Sequence, residues 1–537
     1  MSQIMTSWLS TLSRNFAGIA QRQCLSVTLI GLLGFATSAV VGRVIGLAEP
    51  RVHDEFSYLL AADTFAHGRL TNPTHPIWLH LESFHIIQRP SYMSKYPPAQ
   101  GLMLAAGKVM GGHPIVGVWL SFGIMCAATC WMLHGWVPPR WALYGGLLAL
   151  INPVVGVGTY WAQSYWGGAI AATGGACVLG GVRRLTHERR VGHALVTGVG
   201  LAILANSRPY EGLLLSIPAL VILIVDTFKR RGTPRLGSMT RVILPIFAVV
   251  LVTAIAMAFF NFRVTGHALR MPYQIYEQTY ATTPVFLWQS LPREPNYNHK
   301  IIRDFHERYA LPSYTSQQSV LGFLENKTAS LSWLGLRLFN VFAVPLIGVF
   351  TLLLRWTWRN RWAQRAVLIY LVFMAGLLME TFMWDHYAAP VLGLNYFFIL
   401  SAMRLWCWRD RRVGRLMLWL VALLATLATA KSIHGMMTGR SPSAWHMQRA
   451  TLLSQMEGKE GKHLIIVSYG SRHSYLHEWV YNEADIDGAK VVWAREMNMD
   501  QNCELIEYFK ERHIWALEVD EDDSAPIFKP YPTKLCR

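Results

Sequence analysis

The stretch VTLIGLLGFATSAVVGRVIGLAEPRVHDEFSYLL, residues 27–60, sets two opposite chemistries side by side. Its first part, 27–48, is almost entirely apolar and is long enough for a helix to cross a bilayer, which takes about 20 residues. The acidic pair Asp54 and Glu55 follows soon after, at the start of a segment with helical spacing. A span that leads into two carboxylates predicts a membrane protein with polar chemistry at the membrane boundary.

The composition of the whole chain agrees with a membrane protein. Of its 537 residues, 52% are hydrophobic and 15% are charged, whereas a soluble domain carries about 25% charged residues. In a soluble protein, the net charge of +17 would suggest a nucleic-acid partner. Here the basic residues lie in short clusters between apolar runs, which indicates membrane topology and no nucleic-acid partner.

Apolar runs of spanning length recur along the chain. We predict about eleven transmembrane helices, at 27–48, 113–134, 138–158, 165–183, 192–206, 210–228, 242–262, 333–354, 364–382, 386–403 and 413–431. The apolar run at 99–111 is too short to span, so we expect a re-entrant or interfacial helix there. The fold class is therefore mainly α, a polytopic membrane protein.

The basic residues distinguish the two sides of the membrane. Arg or Lys occurs in the connections 135–140, 184–191, 229–241, 355–363 and 404–412. The short connections 159–164 and 383–385 contain neither. Because basic loops remain in the cytoplasm, this pattern predicts a cytoplasmic N-terminus and external loops at 49–98 and 263–332. We expect a bacterial inner-membrane location, with the C-terminal domain on the periplasmic side.

Three regions differ in character. Residues 1–26 have the scattered apolar spacing of an interfacial helix, and 27–431 contain the spans. Residues 432–537 lose the membrane pattern, which predicts a small external α/β domain. Its predicted strands are HLIIVSYG (463–470), AKVVWARE (489–496) and IWALEV (514–519), and its predicted helix is 500–512.

The cysteines bear on this last domain. Five of the seven lie in spans or in cytoplasmic segments, and only Cys503 and Cys536 are external in this topology. A disulfide between them would close the C-terminal end of the domain and stabilise it by ~3 kcal/mol. Two free thiols remain the alternative.

The acidic pair has two readings. On a helix, Asp54 and Tyr58 share one stripe while Phe56 and Leu59 lie opposite, so Asp54 can face a cleft and act as a general base. Asp is also a favoured helix N-cap residue, so a purely structural role competes with catalysis. One carboxylate could cap while the other works.

Candidate cations lie at the same membrane boundary. Lys95 precedes Tyr96-Pro97-Pro98 and is therefore held just before a helix N-terminus, where a phosphate would be favoured. Snorkelling of Lys95 to the interface is the structural alternative. Arg208 lies on the side where basic residues are disfavoured, which supports a function. His386 is a third candidate for binding a phosphate, or a histidine that caps a span.

Polar and aromatic residues at this boundary are candidates for contact with a sugar or an acceptor. The run 160–166 also fits an interfacial aromatic belt, the commoner role for such residues. The candidates are Tyr58, Tyr96, Gln163, Tyr165, Trp166, Tyr210 and Glu211.

These elements together resemble the GT-C superfamily of membrane glycosyltransferases, and within it the protein O-mannosyltransferase and aminoarabinose-transferase-like group. The resemblance rests on the acidic pair in DEFSY (54–58), on KYPP (95–98), on HYAAP (386–390), on the many spans and on the external C-terminal domain. It covers the first 230 residues by motif and the rest by architecture.

The resemblance implies transfer of a sugar from a polyprenyl-phosphate carrier to a lipid, glycan or protein acceptor on the external face, with inversion. Asp54 would be the base, and Glu55 would orient the site. Lys95, Arg208 and His386 would bind the donor phosphate. Relatives often carry a further acidic residue in the next external loop, and 159–164 has none. Glu211 could replace it, and a divalent cation is left open as a cofactor.

Two other classes of function compete with this interpretation. A transporter or flippase would also be polytopic, but such proteins tend to show internal repeats and ionisable residues near the midplane. The sequence shows no repeat, and its ionisable residues lie near span ends. A membrane-anchored binding protein would leave the residues of the first loop unexplained.

Overall fold

The computed structural model describes residues 2–229, 237, 239–347, 349–439, 441, 443–520, 526–532 and 536. Within these ranges the chain is mainly helical. The α-helices are α1 Ser2–Gln21, α2 Gln23–Ile45, α3 His53–Ala66, α4 Pro98–Gly111, α5 Pro114–Trp136, α6 Pro139–Leu150, α7 Tyr160–Gln163, α8 Ala169–Leu185, α9 Val191–Ala205, α10 Pro209–Lys229, α11 Leu244–Thr265, α12 Pro272–Tyr280, α13 Lys300–Asp304, α14 Leu311–Thr315, α15 Val320–Phe339, α16 Ala343–Ile347, α17 Phe350–Arg359, α18 Arg361–Leu377, α19 Leu392–Arg409, α20 Arg411–Thr438, α21 Trp445–Gly458 and α22 Met499–Tyr508.

Shorter elements complete the chain. The strands are β1 Asn72–Pro73, β2 Ile86–Ile87, β3 Ser91–Ser94, β4 His463–Tyr469, β5 Val491–Arg495, β6 His513–Val519 and β7 Ile527–Pro530. Turns of 3₁₀ helix occur at Trp78–Leu81, Asn340–Phe342 and Asp385–Val391, and π-helical turns at Met239–Ile243 and Phe305–Ala310.

Seven helical segments of the described chain are long and apolar enough to cross a membrane. They are Gln23–Ile45, Pro114–Trp136, Pro209–Phe228, Thr240–Thr265, Val320–Ile347, Asp385–Arg409 and Arg411–Thr438. The other four predicted spans fall on the shorter helices α6, α8, α9 and α18, of 12, 17, 15 and 17 residues. The polytopic helical fold is confirmed, and the number eleven stays a prediction.

One predicted span has the wrong limits. The sequence analysis placed it at 333–354, but the apolar helical segment is Val320–Ile347. Lys327 lies inside this segment, is 4% exposed, and donates to the carbonyl of Glu380 at 2.6 Å. A buried, hydrogen-bonded Lys lets the helix begin earlier than its charge suggests.

The short helix α4, of 14 residues, packs against the bundle, and its predicted re-entrant or interfacial position stays a prediction. It ends at Gly112 in the left-handed conformation (φ +75°), and α5 begins two residues later and packs back against α4. Gly107 of α4 faces Gly117 of α5, and a Cβ on either would overlap the backbone of the facing helix. This close contact orients α4 beside the loop that contains Lys95.

The C-terminal domain contains the predicted α/β elements. Its sheet has the order β5-β4-β6-β7, with β4 parallel to β5 and β6, and β7 antiparallel to β6. Helix α22 makes the crossover between β5 and β6. Cys503 and Cys536 are bonded to each other, as the sequence suggested. Strand β7 was not predicted.

The domain is fastened to the first loop, on the side opposite Asp54. The Tyr92 hydroxyl donates to the carbonyl of Asn482 at 2.9 Å, and the amide of Ala484 donates to Asp63 at 2.8 Å. Phe56 of α3 stacks on Tyr481, with ring centroids 3.9 Å apart. The domain therefore shares a hydrophobic core with α3. We call the side of the bundle where 49–98, 263–332 and this domain meet the loop face.

Candidate active site

Helix α3 begins at the loop face and fixes the acidic pair. Glu55 is 1% exposed, and its carboxylate accepts the backbone amides of Arg51 at 2.6 Å, Val52 at 3.2 Å and Tyr165 at 3.1 Å. These bonds satisfy free amides at the start of the helix and join it to the 160–166 segment. Burial raises the pKa of Glu55, against the effect of these bonds. Glu55 is thus the capping residue.

Asp54 does not cap the helix, because Val52 is the residue at the N-cap position. Its carboxylate accepts a hydrogen bond from the Tyr96 hydroxyl through Oδ1. Its Oδ2 lies 3.9 Å from Nε2 of His85, and the side chain is 30% exposed. Asp54 is therefore oriented by Tyr96 and still accessible, which is the arrangement that proton transfer requires.

Two tyrosines form one wall beside Asp54. The rings of Tyr58 and Tyr96 stack with centroids 4.6 Å apart. Burial, and then the charge of Asp54, raises the pKa of Tyr96 well above its ordinary value. Burial also raises the pKa of Tyr58, with Asp54 and Glu211 adding to it and Arg208 opposing it. Both hydroxyls therefore keep their protons and can donate hydrogen bonds near neutral pH.

Arg208 is the accessible cation of the site. It immediately precedes α10, its side chain is 22% exposed, and it pairs with the buried Glu211 at 3.2 Å. Its guanidinium lies 4.3 Å from the centroid of the Tyr387 ring. Both Arg208 and Asp54 act electrostatically on Tyr58 and on Tyr387. A carboxylate and a guanidinium thus face one group of aromatic rings.

Lys95 is buried and already paired. Its ammonium lies 3.2 Å from Glu277 of α12 and 4.2 Å from the centroid of the Tyr276 ring, and its side chain is 7% exposed. A phosphate could reach Lys95 only by competing with Glu277. Arg208 is likewise paired with a carboxylate, but its side chain is more exposed than that of Lys95, at 22% against 7%.

His386 lies deeper, in a polar cluster at the start of α19. The carboxylate of Asp385 accepts from Tyr160 at 2.7 Å and from Arg337 at 3.0 Å, and it lies 3.8 Å from His386. His386 also meets Trp166 edge to face, with ring centroids 4.8 Å apart. The aromatic run and HYAAP therefore do converge, and Asp385 links them.

Three predicted sugar contacts have backbone partners instead. Gln163 is 4% exposed and donates to the carbonyls of Ser38 and Val157. Tyr165 is 3% exposed and donates to Ala48 at 2.8 Å. Tyr210 donates to Gly376 at 2.9 Å. These hydrogen bonds join separate segments of the bundle.

The fold of this chain has counterparts among solved structures. The aminoarabinose transferase ArnT from Cupriavidus metallidurans in the apo state superposes with a TM-score of 0.53 at 13% identity, over 91% of this chain and 92% of its own. ArnT from the same organism bound to undecaprenyl phosphate gives a TM-score of 0.51 at 15% identity, over the same shares. The chain has the GT-C glycosyltransferase fold. No protein-family model and no curated protein sequence matches it.

Behind Asp54, the GT-C fold of this chain holds buried histidines that the sequence did not single out. His53 and His306 are both buried, and burial lowers the pKa of each to about 3. Burial and the charge of Lys95 also lower the pKa of His85. His85 adopts a positive φ of 60°, which is uncommon outside glycine. These rings are neutral near pH 7, so Asp54 faces no imidazolium.

Glu380 is a further residue near Arg208 that the sequence analysis did not identify as part of the site. It lies between α18 and the Asp385–Val391 turn, is 6% exposed, and interacts electrostatically with Arg208 and Glu211. Its Oε1 is buried and has no hydrogen-bond partner within the described residues. Such an atom is costly unless something satisfies it. No local pattern marks Glu380, since only the fold brings it to Arg208.

The sequence analysis left open whether the protein uses a divalent cation as a cofactor. Among the described residues, no group of three His, Cys, Asp or Glu side chains is arranged to hold a metal ion. Glu55 directs both of its carboxylate oxygens to backbone amides.

Proposed function

We propose that this chain is a membrane glycosyltransferase that moves a sugar from a polyprenyl-phosphate carrier to an acceptor hydroxyl at the loop face. The proposal rests on an accessible, oriented carboxylate and an accessible guanidinium that both act electrostatically on the same buried tyrosine, Tyr58. Asp54 and Arg208 are those two groups. The GT-C fold supports the same class of reaction.

Each charge has one task in the reaction. Asp54 takes the proton of the acceptor hydroxyl as the acceptor oxygen bonds to the anomeric carbon. The bond from that carbon to the phosphate oxygen breaks, and the polyprenyl phosphate leaves with the electron pair. Arg208 stabilises the negative charge on the departing phosphate, a task suited to a preorganised cation. Attack opposite the leaving group inverts the anomeric centre.

An apolar cavity supports a lipid donor. It has a volume of 500 Å³ and lies between α9, α10 and α11. Pro209, next to Arg208, lines it at the loop-face end of α10, and Thr227 lines it near the other end. A polyprenyl chain seated there would bring its phosphate to Arg208. ArnT was solved with undecaprenyl phosphate, a ligand of this chemical class.

Turnover with defined lipids tests this function. Purified protein in detergent is incubated with polyprenyl-phosphate hexose, pentose and aminopentose, and sugar-free polyprenyl phosphate is quantified by mass spectrometry. We expect at least one donor to lose its sugar in a protein-dependent manner. In liposomes, movement of the intact lipid-linked sugar between leaflets, without loss of sugar from any donor, would instead support the flippase alternative.

A further inference from the structure

A second cavity opens at the loop face, and its lining shares no residue with the site that contains Asp54. Its volume is 580 Å³, and it is lined by Thr74, Arg89, Pro90, Thr265, Arg270 and Ile275. Two of these six residues are arginines and none is acidic. The cavity therefore offers a concentrated positive charge that the proposed sugar transfer does not use.

Two hydrogen bonds bring the arginines together at the end of a span. The hydroxyl of Ser91 donates to the carbonyl of Val264 at 2.8 Å and holds the turn after β2 against α11. The hydroxyl of Thr265 lies 3.0 Å from the carbonyl of Arg270 and folds the following loop back over the helix end. Arg89 and Arg270 thus face one cavity from two separate segments of chain.

Both arginines keep donors for a ligand. The guanidinium of Arg89 lies over the Trp78 ring, 4.3 Å from its centroid, and Arg270 donates to the amide oxygen of Gln278. Neither forms an ion pair with any carboxylate in the part of the chain that the structure describes. Arginine is well suited to phosphate because its planar fork can donate two bonds at once.

The position of the cavity indicates a lipid as the source of that phosphate. Thr265 is the last residue of the candidate span Thr240–Thr265, so the cavity lies where headgroups begin. Leu269, the neighbour of Arg270, is 92% exposed. Phe262 of α11, one helical turn before Thr265, is 55% exposed. Apolar side chains around two arginines suit the boundary between acyl chains and phosphates.

We infer that this cavity binds the phosphate of an anionic membrane lipid, as a site separate from the one that contains Asp54. The lipid phosphate would accept from Arg89 and Arg270 while its acyl chains lie along the exposed apolar end of α11. The inference requires no catalysis, so it can hold or fail independently of the proposed function.

Native mass spectrometry of the full-length, delipidated protein tests the site. The probes are phosphatidylglycerol, phosphatidylcholine and inorganic phosphate. We expect phosphatidylglycerol to bind the wild type, and the double variant Arg89→Gln/Arg270→Gln to bind it about 100-fold less tightly or weaker still, because two charged hydrogen bonds are lost. The matched control is Arg303→Gln/Arg308→Gln, which removes two exposed loop-face arginines and should bind like the wild type.

Four results would overturn the assignment. Equal phosphatidylglycerol affinity in the wild type and the cavity variant would remove the site. Equal weakening in the control would show a general effect of charge. Competition by inorganic phosphate at the concentration of the lipid would show that the lipid part contributes nothing. Binding of phosphatidylcholine as tight as that of phosphatidylglycerol would contradict the requirement for negative charge.

Discussion

The hydroxyl of Tyr96 donates a hydrogen bond to Oδ1 of Asp54, and it connects two sequence motifs that lie 42 residues apart. Tyr96 belongs to the Lys95–Pro98 element, and Asp54 to the acidic pair. The bond fixes the direction of the Asp54 carboxylate, while stacking on Tyr58 fixes the Tyr96 ring. Tyr96 is therefore a positioning residue for the proposed base.

Replacing Tyr96 with Phe should slow turnover without unfolding the protein. The ring and its stack remain, and only the bond to the carboxylate is lost. Such a bond to a charged group contributes about 1.5–3 kcal/mol, so we expect kcat to fall about 10- to 100-fold with the donor KM little changed. The control is Tyr165→Phe, which also loses a tyrosine hydroxyl, but one that donates to the backbone carbonyl of Ala48 and not to Asp54. Wild-type kcat in Tyr96→Phe would contradict the positioning role.

Arg208 should govern the affinity for the donor. Glu211→Gln frees Arg208 from its partner and leaves its charge in place, so we expect donor binding that is unchanged or tighter. In Arg208→Gln/Glu211→Gln the cation is also lost, and the donor KM should rise about tenfold or more. The double change avoids leaving a buried, unpaired carboxylate. Donor titrations measure both variants, and equal KM values would exclude Arg208 as the phosphate ligand.

The attachment of the C-terminal domain should depend on a buried ion pair. Arg495 is 2% exposed, donates to the carbonyl of Glu82 in the first loop at 2.9 Å, and pairs with Glu478, which is 0% exposed. Arg495→Met leaves Glu478 buried without its partner, and we expect a loss of about 3–5 kcal/mol of stability.

An exposed pair in the same domain provides the comparison. Lys529 and Glu518 have side chains that are 52% and 45% exposed, so Lys529→Ala should cost less than about 1 kcal/mol. Thermal unfolding of the full-length protein in detergent compares the two variants. Equal losses of stability would mean that burial of the Arg495–Glu478 pair does not matter.

The buried His306 should make the protein acid-sensitive. Its folded-state pKa is about 3 and its unfolded value is about 6.5, so only the unfolded chain binds the proton between these values. Stability from this group is therefore complete above about pH 6.5 and falls as the pH drops towards 3. At pH 5 the loss is about 2 kcal/mol from this one residue.

His306→Phe removes that titration and keeps an aromatic ring in the site. The imidazole Nε2 has no hydrogen-bond partner within the described residues, so the substitution breaks no such bond. We expect a smaller fall in unfolding temperature between pH 8 and pH 5 than in the wild type. An identical fall in both proteins would show that His306 titrates normally in the folded state.

Local sequence patterns explain a large part of the fold. The apolar runs and basic connections predicted helices that the structure contains, and the strand patterns of 463–470, 489–496 and 514–519 match β4, β5 and β6. The predictions rest on helix length, charge placement and strand alternation, which are properties of neighbouring residues. The limits of the 333–354 span failed because a tertiary partner satisfies the charge of Lys327.

The site was only partly predictable, for the same reason. The sequence offered two roles for the acidic pair, helix capping and general base catalysis, without assigning them. Only the hydrogen bonds from the backbone amides of Arg51 and Tyr165 show that Glu55 is the capping residue. Lys95 meets Glu277, 182 residues later, and no local pattern signals that pairing. Gln163 looked like a sugar ligand between aromatics, although it points into the bundle. Contacts between distant segments decided each case.

The central claim is that the Asp54 carboxylate acts as the base, and Asp54→Asn tests it most directly. The variant keeps the shape of the side chain and removes its charge, and Asp500→Asn makes the same change at an exposed position of α22. With the lipid-linked donor that supports wild-type turnover, we expect kcat to fall about 100- to 10,000-fold in Asp54→Asn, with donor binding retained, and to stay unchanged in Asp500→Asn. Turnover of Asp54→Asn at the wild-type rate would contradict the account.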